Sequence, residues 1–218
     1  MHDAPRLRGG LPARILSLFC GLAVIAFGIV ALLESGLGVP PWDVLHTGIA
    51  AGTALSVGAA SVLVGLAVLL AGWALGARPG FGTVANAVVI GVLIDRLRAL
   101  RWVDALSGSA LPGRVGLVLL GIACFGIGSA LYIGAGLGAG PRDGMMLTLS
   151  VRTGRRIALV RGAMEAVVLV VGFLLGGALG LGTAVFALAV GPAVEGSFWL
   201  FARLGLAEPA TERVRLPR

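Results

Sequence analysis

Long apolar stretches without a charged residue are the feature that most restricts the fold of this chain of 218 residues. Five such stretches cover residues 15–33, 44–77, 79–94, 115–141 and 166–194. An uncharged apolar stretch of about 18 residues is long enough to cross a bilayer as a helix. The composition agrees, because 58% of residues are hydrophobic and 12% charged, against about 25% charged in soluble domains. The sequence therefore predicts an all-α, polytopic transmembrane helical bundle, whose main partner is the lipid bilayer.

The charge pattern and the missing motifs exclude several function classes. The net charge of +7 comes from 17 basic residues, all of them arginine. Because these arginines flank apolar segments, they indicate orientation in a membrane and no binding to nucleic acid. Cys20 and Cys124 each lie inside an apolar stretch, where thiols pack as hydrophobes, so we expect neither a disulfide nor a metal site. The sequence has no phosphate-binding or hydrolase motif, so we expect neither an enzyme nor a cofactor.

A gapless internal match appears when the sequence is shifted by about 100 residues, as expected for repeats in secondary transporters. Glycines, a proline and acids carry the match, which apolar bias alone would not produce. The sequence predicts two tandem repeats at 14–105 and 114–205, a cytoplasmic linker at 106–113, and cytoplasmic tails at 1–13 and 206–218. The matched turns contain four glycines that we expect to shape the backbone, namely Gly36, Gly38, Gly136 and Gly138.

Each repeat is predicted to contain three full spans and one short helix. The full spans are 15–33, 57–75 and 83–100 in the first repeat and 115–133, 158–175 and 183–202 in the second. The short helices at 41–55 and 141–152 cover only about 15 to 22 Å at about 1.5 Å per residue. This is less than the roughly 30 Å of a hydrocarbon core, so it is open whether they cross the membrane.

Counting arginines compares the two topologies. If the short helices cross, 15 arginines lie inside and 2 outside; if they return to their own side, 13 lie inside and 4 outside. The positive-inside rule favours the first arrangement, which has eight crossings and parallel halves. The alternative has six crossings, inverted halves and two re-entrant segments. We expect cytoplasmic termini.

Four acids are candidate binding or coupling groups, because an ionisable side chain in lipid costs about 2.5 to 3.5 kcal/mol on insertion scales. Asp43 and Asp143 each follow a proline by two residues, so they are equally explained as acids in a first helical turn. Asp95 is followed by arginines and is equally explained as an interfacial ion pair. Glu195 has no basic neighbour before Arg203, which makes it the stronger candidate for a buried functional carboxylate.

Other polar residues complete the set of candidates for binding a solute or ion. His46 lies one turn after Asp43, and Asn86 lies one turn into a predicted span; a packed histidine and an interhelical hydrogen bond are the simpler interpretations. Trp42 and Arg142 occupy matched positions but differ in character, so the two halves can differ in their roles. GxxxG spacings at 72–76 and 172–176 indicate close helix packing and leave a homo-oligomer open.

The segments GLGVPPWDVLHTGIA and RPGFGTVANAVVIGVLID resemble the YczE-like membrane proteins of bacteria, grouped with the YyaS and YitT types. The resemblance extends from Arg14 to about Leu204 and implies an inner-membrane protein described as a transporter, with no agreed substrate. The second repeat departs from the pattern, with GPRD in place of PPWD. We therefore predict a permease of a small solute or ion with a path between the repeats. The alternative is an accessory or scaffold membrane protein without transport.

Overall fold

The computed structural model describes residues 7–100 and 110–206. Within these ranges the chain forms α-helices and no β-sheet, which confirms the all-α prediction. The helices are α1 (Leu11–Ser35), α2 (Pro41–Gly52), α3 (Val57–Ala74), α4 (Phe81–Arg98), α5 (Leu111–Gly134), α6 (Pro141–Thr153), α7 (Ile157–Leu174) and α8 (Leu181–Arg203). Much of the predicted linker and most of both predicted tails lie outside the described residues.

Five of these helices are long and apolar enough to cross a membrane, namely α1, α3, α5, α7 and α8. The fourth helix carries Asp95, Arg96 and Arg98 in its last turn, which lowers its mean hydropathy. The short helices α2 and α6 contain 12 and 13 residues, or about 18 to 20 Å at about 1.5 Å per residue. Neither is long enough to span a hydrocarbon core by itself.

Local sequence determines where several helices begin and end. α1 ends at Gly36, which has a φ of 59° and donates its N–H to the Leu33 carbonyl; glycine adopts this left-handed conformation at little cost. The Ser56 hydroxyl accepts the Ala59 N–H and caps α3. At the start of α4 the Thr83 hydroxyl accepts the Gly80 N–H at 3.0 Å. These devices satisfy backbone groups that a helix end leaves free.

The helices α1 and α5 form the centre of the fold and run in opposite directions. Arg14, near the start of α1, donates from Nε to the Ala135 carbonyl at 2.6 Å, just after the end of α5. Arg114, near the start of α5, donates from Nε to the Ser35 carbonyl at 2.6 Å, at the end of α1. The arrangement with eight crossings is therefore wrong, because parallel halves require α1 and α5 to run in the same direction.

Glycines let these two central helices approach closely. A Cβ added at Gly21 would lie 2.6 Å from the Gly128 carbonyl oxygen, and one at Gly28 would lie 2.9 Å from the Gly121 carbonyl oxygen. Such distances are too short for any side chain. The first pair joins the first half of α1 to the second half of α5 and the second pair joins the second half of α1 to the first half of α5, as expected for antiparallel helices.

The other helices surround this central pair. α4 and α8 pack on α1 and α5 respectively, α2 packs on α7, and α6 packs on α3. A Cβ at Gly172 would lie 2.5 Å from the Leu45 backbone nitrogen, so this glycine of the second GxxxG spacing faces α2. Gly76 and Gly176 instead follow helix ends with positive φ values of 93° and 82°. The helix-packing interpretation is thus confirmed for Gly172, and Gly72 also faces another helix, since an added Cβ would lie 3.6 Å from the Met145 Cβ of α6.

The packing differs between two pairs of neighbouring helices. α3 packs along α4, whereas α7 and α8 make no comparable contact. A Cβ at Gly91 of α4 would lie 2.6 Å from the Val62 side chain of α3. At Gly191 of α8 an added Cβ would meet no atom within 4 Å. The bundle is therefore closed between α3 and α4 and open between α7 and α8.

Candidate functional site

A cavity of about 490 Å³ lies inside the bundle. It is bordered by the starts of both short helices and by one face of each of the six long ones. This volume falls in the range of about 300 to 1,000 Å³ that is usual for small-molecule sites. Its polar wall is formed by Trp42, Ser61, Asn86, Ser129, Tyr132, Arg142, Asp143, Arg161, Glu165 and Glu195.

The two short helices begin on opposite sides of the cavity and meet across it. The Arg142 guanidinium carbon lies 4.7 Å from the centre of the Trp42 ring, a cation–π contact. Arg142 makes no hydrogen bond or ion pair with another residue of the described ranges. This contact uses no hydrogen-bond acceptor, so the N–H groups of the guanidinium remain without one among the described residues. The matched positions 42 and 142 therefore contact each other and form one site.

Asp143 is held by Tyr132 at the side of this site. The Tyr132 hydroxyl donates to Oδ2 of Asp143 at 3.0 Å and accepts the Gly140 N–H at 3.1 Å. The other carboxylate oxygen of Asp143 has no hydrogen-bond donor in the described part of the chain. The tyrosine thus fixes the start of α6 relative to α5 and leaves one oxygen of the acid available to the cavity.

Asp43 and His46 lie behind the cavity wall and do not line it. Both are 0% exposed, and Asp43 Oδ1 lies 2.9 Å from His46 Nδ1. Asp43 Oδ2 and His46 Nε2 have no hydrogen-bond partner. The simple interpretation of His46 as a packed, hydrogen-bonded histidine agrees with this geometry. An acid in a first helical turn does not need to be buried. The complete burial of Asp43, with one oxygen that lacks a hydrogen-bond donor, is therefore not explained by its place at the helix start alone.

The four turn glycines shape the turns that precede the two short helices. Gly36, Gly38, Gly136 and Gly138 have positive φ values of 59°, 116°, 61° and 134°, which only glycine adopts readily. The Leu37 carbonyl accepts the Gly182 N–H at 2.7 Å, and the Leu137 carbonyl accepts the Gly82 N–H at 2.8 Å. Each turn therefore binds the start of a long helix, α8 or α4, which fixes where the following short helix begins.

Asp95 lies outside the cavity and closes the contact between α3 and α4. It accepts the Ser56 hydroxyl at 2.5 Å and the Gly58 N–H at 2.9 Å. It forms no ion pair with Arg96 or Arg98, so the interpretation as a local ion pair is wrong. The reason is that the start of α3 supplies donors that are closer than the flexible arginine side chains.

Glu195 occupies a different environment from Asp95, although the two positions match in the sequence. It lies on the cavity wall, is exposed, and makes no hydrogen bond to another described residue. The expectation of a buried carboxylate is wrong, because α7 does not pack over this part of α8. Asn86 lines the cavity as well and forms no interhelical hydrogen bond in the described ranges.

Several residues that line the cavity were not among the candidates that the sequence indicated. Arg161 and Glu165, spaced i, i+4 on α7, form an ion pair with Nε and Oε1 3.0 Å apart, and both line the cavity. Ser61 and Ser129 gave no signal, since serine is common in packed membrane helices. Tyr132 could have been noticed, because it is the only tyrosine in the chain. In the described ranges no three His, Cys, Asp or Glu side chains come together as metal ligands would.

Comparison with known proteins identifies the family. The model of a family of unknown function, DUF6198, matches residues 12–197. The chain belongs to this family. An uncharacterised protein of Haemophilus influenzae is 38% identical over 187 residues, which cover 86% of this chain and 84% of that protein. No solved structure shows significant similarity.

Two relatives from Bacillus subtilis confirm the resemblance to the YczE-like proteins. The uncharacterised membrane protein YczE is 36% identical over 177 residues, covering 79% of this chain and 80% of YczE. The uncharacterised protein YyaS is 27% identical over 168 residues, covering 75% and 81% respectively. Together with the apolar helices, these similarities establish a membrane protein of the YczE-like group.

Proposed function

We propose that this family member is a permease for a small solute, which binds in the cavity between two inverted repeats. The observation that carries the proposal is a polar cavity that is closed between α3 and α4 and open between α7 and α8. A scaffold protein has no need for a cavity of about 490 Å³ lined by charged side chains, because such groups are costly at membrane depth.

The repeats are supported by contacts that occur in pairs about 100 residues apart. Arg14 binds the carbonyls of Ala135 and Gly136, while Arg114 binds those of Ser35 and Gly36. The turn after α1 binds the start of α8, and the turn after α5 binds the start of α4. Since α1 and α5 are antiparallel, the symmetry axis lies across the helices. This is the inverted-repeat plan of many secondary transporters.

In this plan the six long helices cross the membrane and the two short helices enter it and return. In this plan the N-terminal residues of α2 and α6, where Trp42 contacts Arg142, would meet near the middle of the membrane. Both termini then lie on the same side, together with 13 of the 17 arginines. By the positive-inside rule that side is the cytoplasm.

The two halves are in different conformations, as alternating access requires. In the first half, Asp95 of α4 binds Ser56 and Gly58 at the start of α3 and thereby closes α3 against α4. This contact lies at the end of α1, where Glu34 binds Arg98. The matched positions in the second half hold Arg156, Ala158 and Glu195, and the matched helices α7 and α8 are separated. The gap lies at the start of α7, on the side of the chain termini. This conformation is therefore open to the cytoplasm.

Transport then requires the opposite conformation, in which α7 closes on α8 and α3 leaves α4. Glu195 would accept hydrogen bonds from the start of α7, as Asp95 does from the start of α3. Arg156, at the position of Ser56, would pair with it. A cysteine pair at positions 158 and 191 tests this closure. A disulfide bond needs Cβ atoms about 3.8 Å apart. In the present conformation an added Cβ at Gly191 meets nothing within 4 Å, so the pair can form a disulfide only after α7 has moved towards α8.

The experiment uses Ala158→Cys with Gly191→Cys in a protein that lacks Cys20 and Cys124. We expect the pair to form a disulfide under mild oxidation, as α7 closes on α8 during the cycle. The control pair replaces Gly191→Cys by Val185→Cys, which is 45% exposed and lies about 120° around α8 from Gly191 and about 9 Å along it, and should stay reduced. Failure of the first pair to oxidise, or equal oxidation of both, would contradict the motion.

Transport itself is measured without knowledge of the solute. Proteoliposomes are loaded with a low-molecular-weight bacterial extract, and the retained solutes are identified by mass spectrometry. We expect vesicles with the reduced cysteine pair to lose one or a few solutes and vesicles with the oxidised pair to retain them. The permease proposal fails if the contents match those of protein-free vesicles, and the scaffold alternative then gains support.

A further inference from the structure

We infer that the transported solute is a small apolar zwitterion, with its carboxylate on Arg142 and its ammonium group on Asp143. This inference rests on the proposed function and names the class of solute. Its basis is the juxtaposition of one cation without a partner and one half-satisfied acid at the same place in the cavity wall.

Arg142 presents the geometry that a carboxylate requires. The Trp42 ring centre lies 4.7 Å from its guanidinium carbon, a contact that places the guanidinium at the cavity and uses no hydrogen-bond acceptor. A guanidinium edge binds the two oxygens of a carboxylate by parallel hydrogen bonds. Among the described residues no acceptor uses this edge, so it is available for a ligand in the cavity.

A simple anion does not fit this surrounding. The carboxylates of Asp43, Asp143 and Glu165 all lie within electrostatic range of Arg142. Of these only Glu165 is paired with another arginine of the described ranges, Arg161, so an anion at Arg142 would meet more repulsion than attraction. A simple cation would in turn face the guanidinium. A molecule with both charges avoids either conflict, because its ammonium group can donate to the free oxygen of Asp143. Tyr132 holds the other oxygen and keeps the acid in place.

Apolar side chains form another part of the cavity wall, beside the polar side chains named above, and favour an apolar body. Phe125 and Phe186 pack edge to face, with ring centres 5.0 Å apart, and both line the cavity. Met146 and Met164 lie on the same wall; methionine adapts readily to different apolar shapes. The cavity volume of about 490 Å³ exceeds what a bare ion needs and is sufficient for a small organic molecule.

Binding is tested on the whole protein purified in detergent micelles, by the shift of the thermal unfolding temperature. The probes are leucine, valine, methionine and phenylalanine. Isocaproate and isoamylamine serve as matched controls, because they are leucine without its ammonium group and without its carboxylate. We expect at least one amino acid to raise the unfolding temperature, since a ligand of the folded state stabilises it. Neither control should do so.

Variants assign the two charges. Arg142→Gln and Asp143→Asn should each weaken binding about 10- to 100-fold, as expected for loss of a charge-assisted hydrogen bond. If Arg142→Gln does not fold, Arg142→Lys keeps the charge and should still weaken binding about 10-fold, since it loses the paired geometry. Arg78→Gln, outside this cavity, should bind normally.

Three results would overturn the inference. The first is no shift of the unfolding temperature with any of the amino acids. The second is a shift with isocaproate equal to that with the amino acids, which indicates an anion site. The third is an equal shift with isoamylamine, which indicates a cation site. The vesicle experiment separates this failure from that of the permease. If the vesicles lose solutes and none is a zwitterion, the inference fails and the permease stands. If they lose nothing, the permease itself fails.

Discussion

Replacing Gly91 and Gly191 by alanine, one at a time, tests whether the two halves differ in packing as described. The residues occupy matched positions in α4 and α8. A Cβ at Gly91 would lie 2.6 Å from a Val62 methyl group and still closer to the Gly58 carbonyl oxygen, whereas a Cβ at Gly191 would meet nothing within 4 Å. The same chemical change therefore enters a tight contact in one half and open space in the other.

The expected magnitude follows from two effects. Alanine in place of glycine inside a helix stabilises the folded state by about 0.8 to 1 kcal/mol at both positions. Overpacking costs about 1 to 3 kcal/mol and applies only at Gly91. The upper part of that range is expected there, because the obstacle includes the backbone of α3, which cannot rotate away as a side chain can. The propensity effect cancels in the comparison, so Gly91→Ala should be less stable than Gly191→Ala by about 2 to 3 kcal/mol.

The free energy of unfolding is measured in mixed micelles by titration with a denaturing detergent. Gly191→Ala should equal or slightly exceed the unaltered protein in stability. Equal stability of the two variants, within about 0.5 kcal/mol, would refute the closed contact between α3 and α4. A clear loss of stability in Gly191→Ala would refute the gap between α7 and α8.

Two further predictions concern the supports of the cavity and use the same unfolding measurement. Tyr132→Phe should lower the free energy of unfolding by about 1 to 3 kcal/mol, because the buried hydroxyl donates to Asp143 and accepts the Gly140 N–H. Asp143→Asn should lower the free energy of unfolding less in the Tyr132→Phe background than in the unaltered protein. Additive effects of the two substitutions would contradict this coupling. Arg14→Gln and Arg114→Gln should each cost about 1 kcal/mol through lost bonds to helix-end carbonyls, and equal values for Arg78→Gln would contradict this role.

The membrane fold could be predicted from the sequence because the apolar stretches are long and nearly free of charge. Helix starts were also readable, since Pro41 and Pro141 both begin a helix as expected. The direction of the second half could not be read in the same way. Counting arginines gave 15 against 2 for one topology and 13 against 4 for the other, a difference too small to outweigh the antiparallel contact of α1 with α5.

Some residues that line the cavity could be predicted from the sequence, whereas their contacts could be predicted only in part. The matched turns led to Trp42, Arg142 and Asp143, which line one cavity. The sequence could not show that Asp95 and Glu195 have different surroundings, because this depends on whether α3 or α7 packs over them. A side chain that changes partner with conformation has no signature in residue type or spacing.

The differences between the matched positions agree with a division of roles between the two halves that we propose. Where the first half has Trp42, the second has Arg142, and where the first has His46, the second has Met146. The first half thus contributes a stacking surface and a buried Asp43–His46 pair behind the wall. The second half contributes the charges that reach the cavity. An exact repeat would bring two tryptophans or two arginines together at the centre, and two arginines would repel each other at membrane depth. One tryptophan and one arginine attract each other, so divergence at this position agrees with the inverted repeats that we propose.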